Sequence, residues 1–537
     1  MLPHLPALLF VLPSWRGRAA ARAATLVRML ALALALALAP ALASAAGVPA
    51  ATAAPLPPEV DAALARARVP REALVAIVAD VDPARRDAVR LAWQPRQPVN
   101  PASLMKLLTT SAALELLGPA YAWATPVWLQ GKVGANGVLD GNLVIQGQGD
   151  PTLVLERVWL LLRRVQQLGV RQIRGDIVLD RSAFALPAGE PGAAAFDGEA
   201  LRPYNVQPDA LLLNHKAIAL TLTPDTARGV ATVVAEPALA GVKVDATLPL
   251  ASGPCDDWRA AAQADASDPA RLRFAGRFPA ACGEKTWQLA YGDPASYNAR
   301  LLAALWAEMG GTLSGRVRDG AAPATPPTFE LASRTLPEVV RDINKFSNNV
   351  MAQQLFLTLG RGGFAGAAAP ATPEAAREVL RRWLGDRFGE AGRTAVVDNG
   401  SGLSRDNRVS AQLLADLLRA AWAGPVMPEL LASLPVAGVD GTLRRSQGAT
   451  GRAHLKTGSL RDVAGVAGVV LGASGRRYVL VAIVNHPNAN AARPAFDALL
   501  QWAAADTAAL AAVPANPAAL AATPATPLNS PPTPNTE

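Results

Sequence analysis

Lysine is scarce in this 537-residue chain: only seven of its 51 basic residues are lysine, at positions 106, 132, 216, 243, 285, 345 and 456. Charge alone is supplied by arginine almost everywhere, so each lysine raises the question of what arginine could not do in its place. Histidine is scarcer still, with His4, His215, His454 and His486. No H-E-x-x-H, zinc-finger cysteine spacing or Walker loop occurs, so neither a metal nor any other cofactor is expected. Aromatics make up 5% of the chain, and no basic cluster interleaved with them points to nucleic acid. The apolar run "MLALALALALAPALA" is shorter than the roughly 20 residues a spanning helix needs. "NGSGLS" at 399–404 is not G-x-S-x-G, which argues against an α/β-hydrolase elbow. "GRGGFAG" at 360–366 fails the dinucleotide-binding spacing and reads as a flexible connector.

What is present bounds the rest. With 51% hydrophobic residues the chain can bury a large core. Arg16, Arg18, Arg22 and Arg28 precede the apolar run, without an acidic residue among them, and "ALASAAG" follows it. Basic, apolar and small-residue segments in that order describe a secretory signal peptide over 1–45, cleaved near Ala43 to Ala45, and so a periplasmic protein without a stable membrane span. Losing four arginines lowers the net charge from +8 to +4, a mild basicity suited to an anionic envelope polymer. Export favours a disulfide between the two cysteines, Cys255 and Cys282. Residues 510–537 are dominated by Ala, Pro and Thr and cannot build a core, so a disordered tail is expected.

Element patterns suggest an α+β protein. "ALVAIVADVD" and "DAVRLAWQP" read as two strands, and "SLMKLLTTSAALELLGP" as a helix entered at Pro101 and ended by Gly118 and Pro119. Short β-rich runs between Gly, Pro and Asp turns occupy 121–284. Helical patterning resumes with "YNARLLAALWAEMGG", "TLPEVVRDINKF", where Thr335 and Glu338 have capping-box spacing, and "NVMAQQLFLTLG". "AHLKTGSL", "VAGVAGVVLG" and "RRYVLVAIVN" read as three strands before a last helix. Two strands at the front and three at the back can share one antiparallel sheet flanked by helices, with the β-rich middle inserted.

The chemistry concentrates in three places. Ser103 begins the sole S-x-x-K of the chain, and at i and i+3 on a helix Lys106 can reach its hydroxyl and accept its proton. Arginine is excluded from that task because a guanidinium does not deprotonate. Ser347, Asn348 and Asn349 form an S-x-N on a short helix–helix connection; Ser296, Tyr297 and Asn298 spell a rival at a helix start, where capping suffices. Lys456, Thr457 and Gly458 lie on a strand, glycine permitting close approach while lysine and threonine can hold a carboxylate.

S-x-x-K, S-x-N and K-T-G in that order resemble the penicilloyl serine transferases. The gap of 244 residues from Ser103 to Ser347, with "GNLVIQGQGDPTL", "YNVQPDALLLNHK", "SNNVMAQQLF", "DNGSGLSR", "LPVAGVDGTLRR" and "KTGSL", is similar to the D-alanyl-D-alanine carboxypeptidase/endopeptidase family, the penicillin-binding protein 4 type. The resemblance implies a discontinuous transpeptidase-like domain over 57–120 and 285–509, with an inserted, mainly β region over 121–284. It implies hydrolysis of D-Ala-D-X bonds in peptidoglycan stem peptides, and acylation by β-lactam antibiotics. Ser103 would be the nucleophile, Lys106 its base and Ser347 the proton relay to the leaving amine. Asn349 would bind the peptide, Lys456 and Thr457 the terminal carboxylate. Gly458 would let the substrate approach, and the backbone N–H groups of Ser103 and Ser459 would form the oxyanion hole. Asp180, in "GDIVLDRSAF", is the candidate acid for the stem-peptide amine. His454 departs from the small residue expected before K-T-G. A serine β-lactamase of the same fold and a non-catalytic wall-binding protein are the competing readings, though no E-x-x-x-N element of the class A kind is present.

Overall fold

The strand Leu74–Asp80 ("LVAIVAD") is buried along its whole length, which a strand with one solvated face would not be. Both its faces are covered. Val75 and Ile77 pack into one apolar cluster, and Leu74, Ala76 and Val78 into another on the opposite side of the sheet. In this computed structural model, residues 55–82, 84–85, 89–187, 196–362 and 369–506 are described. The expected leader and the expected tail lie outside the described residues.

That strand is fourth in a five-stranded antiparallel sheet ordered Ala453–Leu460, Val463–Leu471, Arg477–Asn485, Leu74–Asp80 and Val89–Trp93. The front and back of the sequence thus meet in one sheet, with Leu74 opposite Val484 and Asp80 opposite Tyr478. The helices Pro58–Arg66 and Arg493–Ala505 cover one face. Over the other lie the helices Met105–Leu116, Leu336–Phe346, Asn349–Gly362, Pro373–Arg393, Ala411–Ala423 and Met427–Ser433. Each leucine or valine fully withdrawn from water in these clusters contributes on the order of 1.5–3 kcal/mol. Thr335 and Glu338 make the expected capping box at the start of Leu336–Phe346.

Between these halves the chain builds separate β layers. A seven-stranded sheet contains Ala122–Val133, Val138–Gln146 and Phe329–Thr335, a five-stranded sheet contains Ala217–Asp225 and Lys285–Ala290, and a third sheet has three strands. Cys255 and Cys282 are bonded, as expected, beside Trp258, whose ring meets Phe278 and Trp287 edge-on.

Strand pairing moves the end of the inserted region from the expected residue 284 to about 335. Lys285–Ala290 pairs with Ala217–Asp225, and Phe329–Thr335 pairs with Ala122–Val133. The helix Tyr297–Glu308, whose pattern marked a return to the first layers, instead buries Tyr297, Leu301 and Leu305 in the inserted region's core. An amphipathic helix advertises that it has an apolar face, not which sheet that face will meet.

Candidate active site

The segment before Ser103 is held by side-chain amides. Asn100 accepts from Ala102 N through Oδ1 at 2.8 Å and donates from Nδ2 to Ser404 O at 2.9 Å, while Asn485 brackets its backbone. Ala102 adopts φ +46°, an uncommon left-handed conformation for a residue with a Cβ. A 3₁₀ turn, Ala102–Leu104, then leads into the helix Met105–Leu116, so Ser103 precedes the α-helix proper and Lys106 stands in its first turn.

Lys106 is fully buried. Its Nζ lies 3.0 Å from Ser103 Oγ, 2.6 Å from Asn349 Oδ1 and 2.6 Å from Ser401 O. Two of these partners are carbonyl oxygens, which only accept, and they occupy two N–H groups. In the neutral amine, the remaining lone pair can face Ser103 O–H as an acceptor. Burial, and then the nearby charge of Lys456, push the Lys106 pKa well below its ordinary value.

A second buried lysine faces the same seam. Lys456 Nζ donates to Ser347 Oγ at 2.8 Å and to Thr457 O at 2.9 Å, and burial lowers its pKa to about 7. Ser347 caps its helix in a left-handed conformation, φ +56°, between Leu336–Phe346 and Asn349–Gly362. The strand Ala453–Leu460 is at the sheet edge. Residues 435–437 cover its first part through Ala437 N to Ala453 O and Leu455 N to Pro435 O. From Lys456 onward the edge faces the cleft, where an extended peptide can add as a further strand. Gly458 is required there: a Cβ would stand 2.6 Å from Pro101 O. Ser103, Ser347, Thr457, Gly458 and Ser459 line one cavity of 580 Å³, and Thr457 Oγ1 lies 2.8 Å from Thr442 Oγ1.

The structure therefore gathers Ser103, Lys106, Ser347, Asn349, Lys456, Thr457, Gly458 and Ser459, with one difference from expectation: Ser347 hydrogen-bonds to Lys456, while Asn349 contacts Lys106. Asp180 is not among them. It is buried at the end of the strand Ile177–Asp180, accepting from Ser182 N, Gln146 Nε2 and Ala322 N. Burial opposes its charge, but those hydrogen bonds outweigh it and hold the pKa low. Its oxygens are engaged in local structure, so the amine-binding role expected for it has no support in this geometry. His454 does not line the cleft and is half-buried near Lys345 and Asp440. The rival Ser296–Asn298 lies in the inserted region, where Asn298 donates to Leu211 O.

Sequence reasoning gave no role to the Ser401 carbonyl or to Thr442. The first comes from "NGSGLS", set aside for lacking a nucleophile elbow. Its glycines are the available signal: Gly402, φ +82°, would place a Cβ 2.0 Å from Ala102 O, so this loop lies directly against the turn that carries Ser103.

Residues 56–506 match the model of the D-Ala-D-Ala carboxypeptidase 3 (S13) family. The chain is 31% identical over 417 residues to a D-alanyl-D-alanine carboxypeptidase of an Actinomadura species, covering 72% of this chain and 73% of that protein. It is 26% identical over 395 residues to the D-alanyl-D-alanine carboxypeptidase DacB of Haemophilus influenzae, covering 72% and 80%. The crystal structure of penicillin binding protein 4 from Haemophilus influenzae superimposes with a TM-score of 0.66 at 22% identity, over 82% of this chain and 99% of that one. A second structure of that protein, complexed with a β-lactam, superimposes with a TM-score of 0.61 at 22% identity, over 80% and 96%.

Proposed function

The chain belongs to the D-Ala-D-Ala carboxypeptidase 3 (S13) family of serine peptidases, and from that premise we propose that it is an exported enzyme that hydrolyses D-Ala-D-X bonds of peptidoglycan stem peptides through an acyl-enzyme on Ser103. Ser103 Oγ attacks the D-alanine carbonyl as its proton passes to Lys106 Nζ. The backbone N–H groups of Ser103 and Ser459 hold the oxyanion, each such donor contributing roughly 3 kcal/mol. As the C–N bond breaks, the proton taken up by Lys106 is relayed to the leaving amine through Ser347, which stands against Lys456, so that Lys106 is neutral again and Ser347 keeps its hydroxyl. Asn349 keeps Lys106 in place and meets the acyl-side peptide. Lys456 and Thr457 receive the carboxylate beyond the scissile bond. Water, deprotonated by Lys106, then releases the acyl group and restores Ser103.

The observation that carries this reading is Lys106: a buried amine with neutral oxygens for partners, set against a serine hydroxyl at 3.0 Å. A lysine kept for charge alone would face a carboxylate. Export to the periplasm rests on the composition of residues 1–45; among the described residues, no helix is long and apolar enough to cross a membrane. Sensitivity to β-lactams follows from the same nucleophile, since a β-lactam carbonyl offers Ser103 an amide whose leaving group stays tethered. The test incubates purified protein with a fluorescent penicillin, and with monomeric and cross-linked muropeptides. The expected result is a long-lived adduct on Ser103, loss of terminal D-alanine, opening of cross-links, and none of these with Ser103→Ala. Rapid penicillin turnover without peptide cleavage would identify a β-lactamase instead.

A further inference from the structure

The cavity that holds Ser103 does not end at Thr457. It continues past the Thr442 and Thr457 hydroxyls into a groove between residues 441–448 and the helix Arg493–Ala505. Val466, Phe496 and Leu500 give this extension an apolar lining, and two guanidiniums, Arg445 and Arg493, flank it. Among the described residues neither is paired with a carboxylate. Arg493 donates to neutral oxygens, Ser459 Oγ at 3.3 Å and Asn490 Oδ1 at 3.1 Å. The carboxylate that lines the groove, Asp497, accepts instead from Ser446 Oγ at 2.7 Å. Some arginines of the inserted region do have such a partner: Arg318 meets Asp176 at 2.5 Å and Arg174 meets Asp140 at 3.0 Å.

Two guanidiniums without a carboxylate partner, on the wall of an apolar groove continuous with the cavity of the nucleophile, form a site for an anion on an aliphatic tether. Resting on the reading of Ser103 as nucleophile, we infer that Arg445 and Arg493 are an anion subsite on the leaving-group side, taking a second carboxylate beyond the one that Thr457 receives. A single D-alanine leaving group has only the first. A leaving group that is itself a peptide, as when a cross-link is cut, continues through methylenes that suit the apolar lining to a further carboxylate. The subsite thus favours cross-linked substrates over terminal D-Ala-D-Ala.

The test gives the full chain two synthetic donors with the same acyl side. Their leaving groups are identical except that the distal end carries a carboxylate in one and its amide in the other. The readout is the ratio of kcat/KM values, from which any loss shared by both donors cancels. The protein is expected to prefer the carboxylate by about tenfold, the value of one charge-assisted contact. Arg445→Gln with Arg493→Gln brings the ratio to about one, and the corresponding pair of lysine substitutions keeps most of it. Arg445→Gln alone, at an exposed side chain, halves the preference or more and keeps the test decisive if the double variant does not fold. No preference in the unaltered protein, or one that survives the double glutamine variant, overturns the subsite. Failure of the underlying reading looks different: neither donor is cleaved and penicillin does not label Ser103.

Discussion

Lys106 and Lys456 in the cleft, and Lys216 in the inserted region, are buried lysines in opposite electrostatic settings. Lys216 Nζ lies 2.6 Å from Asp209 Oδ2, and Arg181 Nε is 3.2 Å from the other oxygen of the same carboxylate. Lys345, at the cleft margin, likewise meets Asp440 at 2.5 Å. The cleft pair meets only hydroxyl, amide and backbone oxygens. Where a carboxylate answers the ammonium, burial makes a structural tie. Where none does, burial favours loss of the proton, and this is what lets Lys106 act as a base.

The comparison breaks most visibly if the two kinds of lysine respond alike to removal. Lys106→Met should lower acylation by a fluorescent penicillin about a thousandfold or more, in stopped-flow labelling, without lowering the urea midpoint. Lys106→Arg, which retains the charge, should lose acylation as well. Lys216→Met should do the reverse, costing about 3–5 kcal/mol in urea unfolding because Asp209 loses a buried partner, while acylation per folded molecule is kept. Similar profiles for Lys106→Met and Lys216→Met would remove the distinction.

Two smaller effects sharpen it. Gly458→Ala forces a Cβ against Pro101 O and should cost about 1–3 kcal/mol and slow acylation, because the shift falls where the edge strand meets the serine turn. The smallest is the pH response. Acylation should rise about tenfold per pH unit on its acid limb, as the neutral lysine becomes populated. Stability carries the same sign: with the folded pKa of Lys456 lowered to about 7, its burial penalises folding fully below about 7. The penalty fades as pH climbs toward the ordinary value of 10.5. Lys456→Met should flatten that dependence in urea midpoints measured across the range.

Much of this site can be read in the sequence because its side chains have local signatures. Ser103 and Lys106 are one helical turn apart, Ser347 and Asn349 straddle a helix junction, and Lys456 and Thr457 stand on an alternating strand. The Ser401 carbonyl has no such signature, since every residue carries one; only Gly402 betrays its loop's close approach. The five-stranded sheet was legible from its apolar runs, whereas the limit of the inserted region was not. Phe329–Thr335 finds its partner, Ala122–Val133, some 200 residues away, and strand periodicity reports a face but not a neighbour. The surroundings of Asp180 were not legible for a related reason: an acid on a strand end looks the same whether its oxygens face substrate or, as here, two backbone N–H groups and the Gln146 amide.

The scarcity of lysine makes the decisive measurement feasible. Selective labelling of lysine side chains with ¹³C and ¹⁵N should give at most seven sets of NMR signals, assigned by Lys106→Met and Lys456→Met and followed through a pH titration. The account predicts that Lys106 titrates far below 10.5 and is neutral where the enzyme acylates. A Lys106 signal that stays that of an ammonium throughout the active pH range would contradict it.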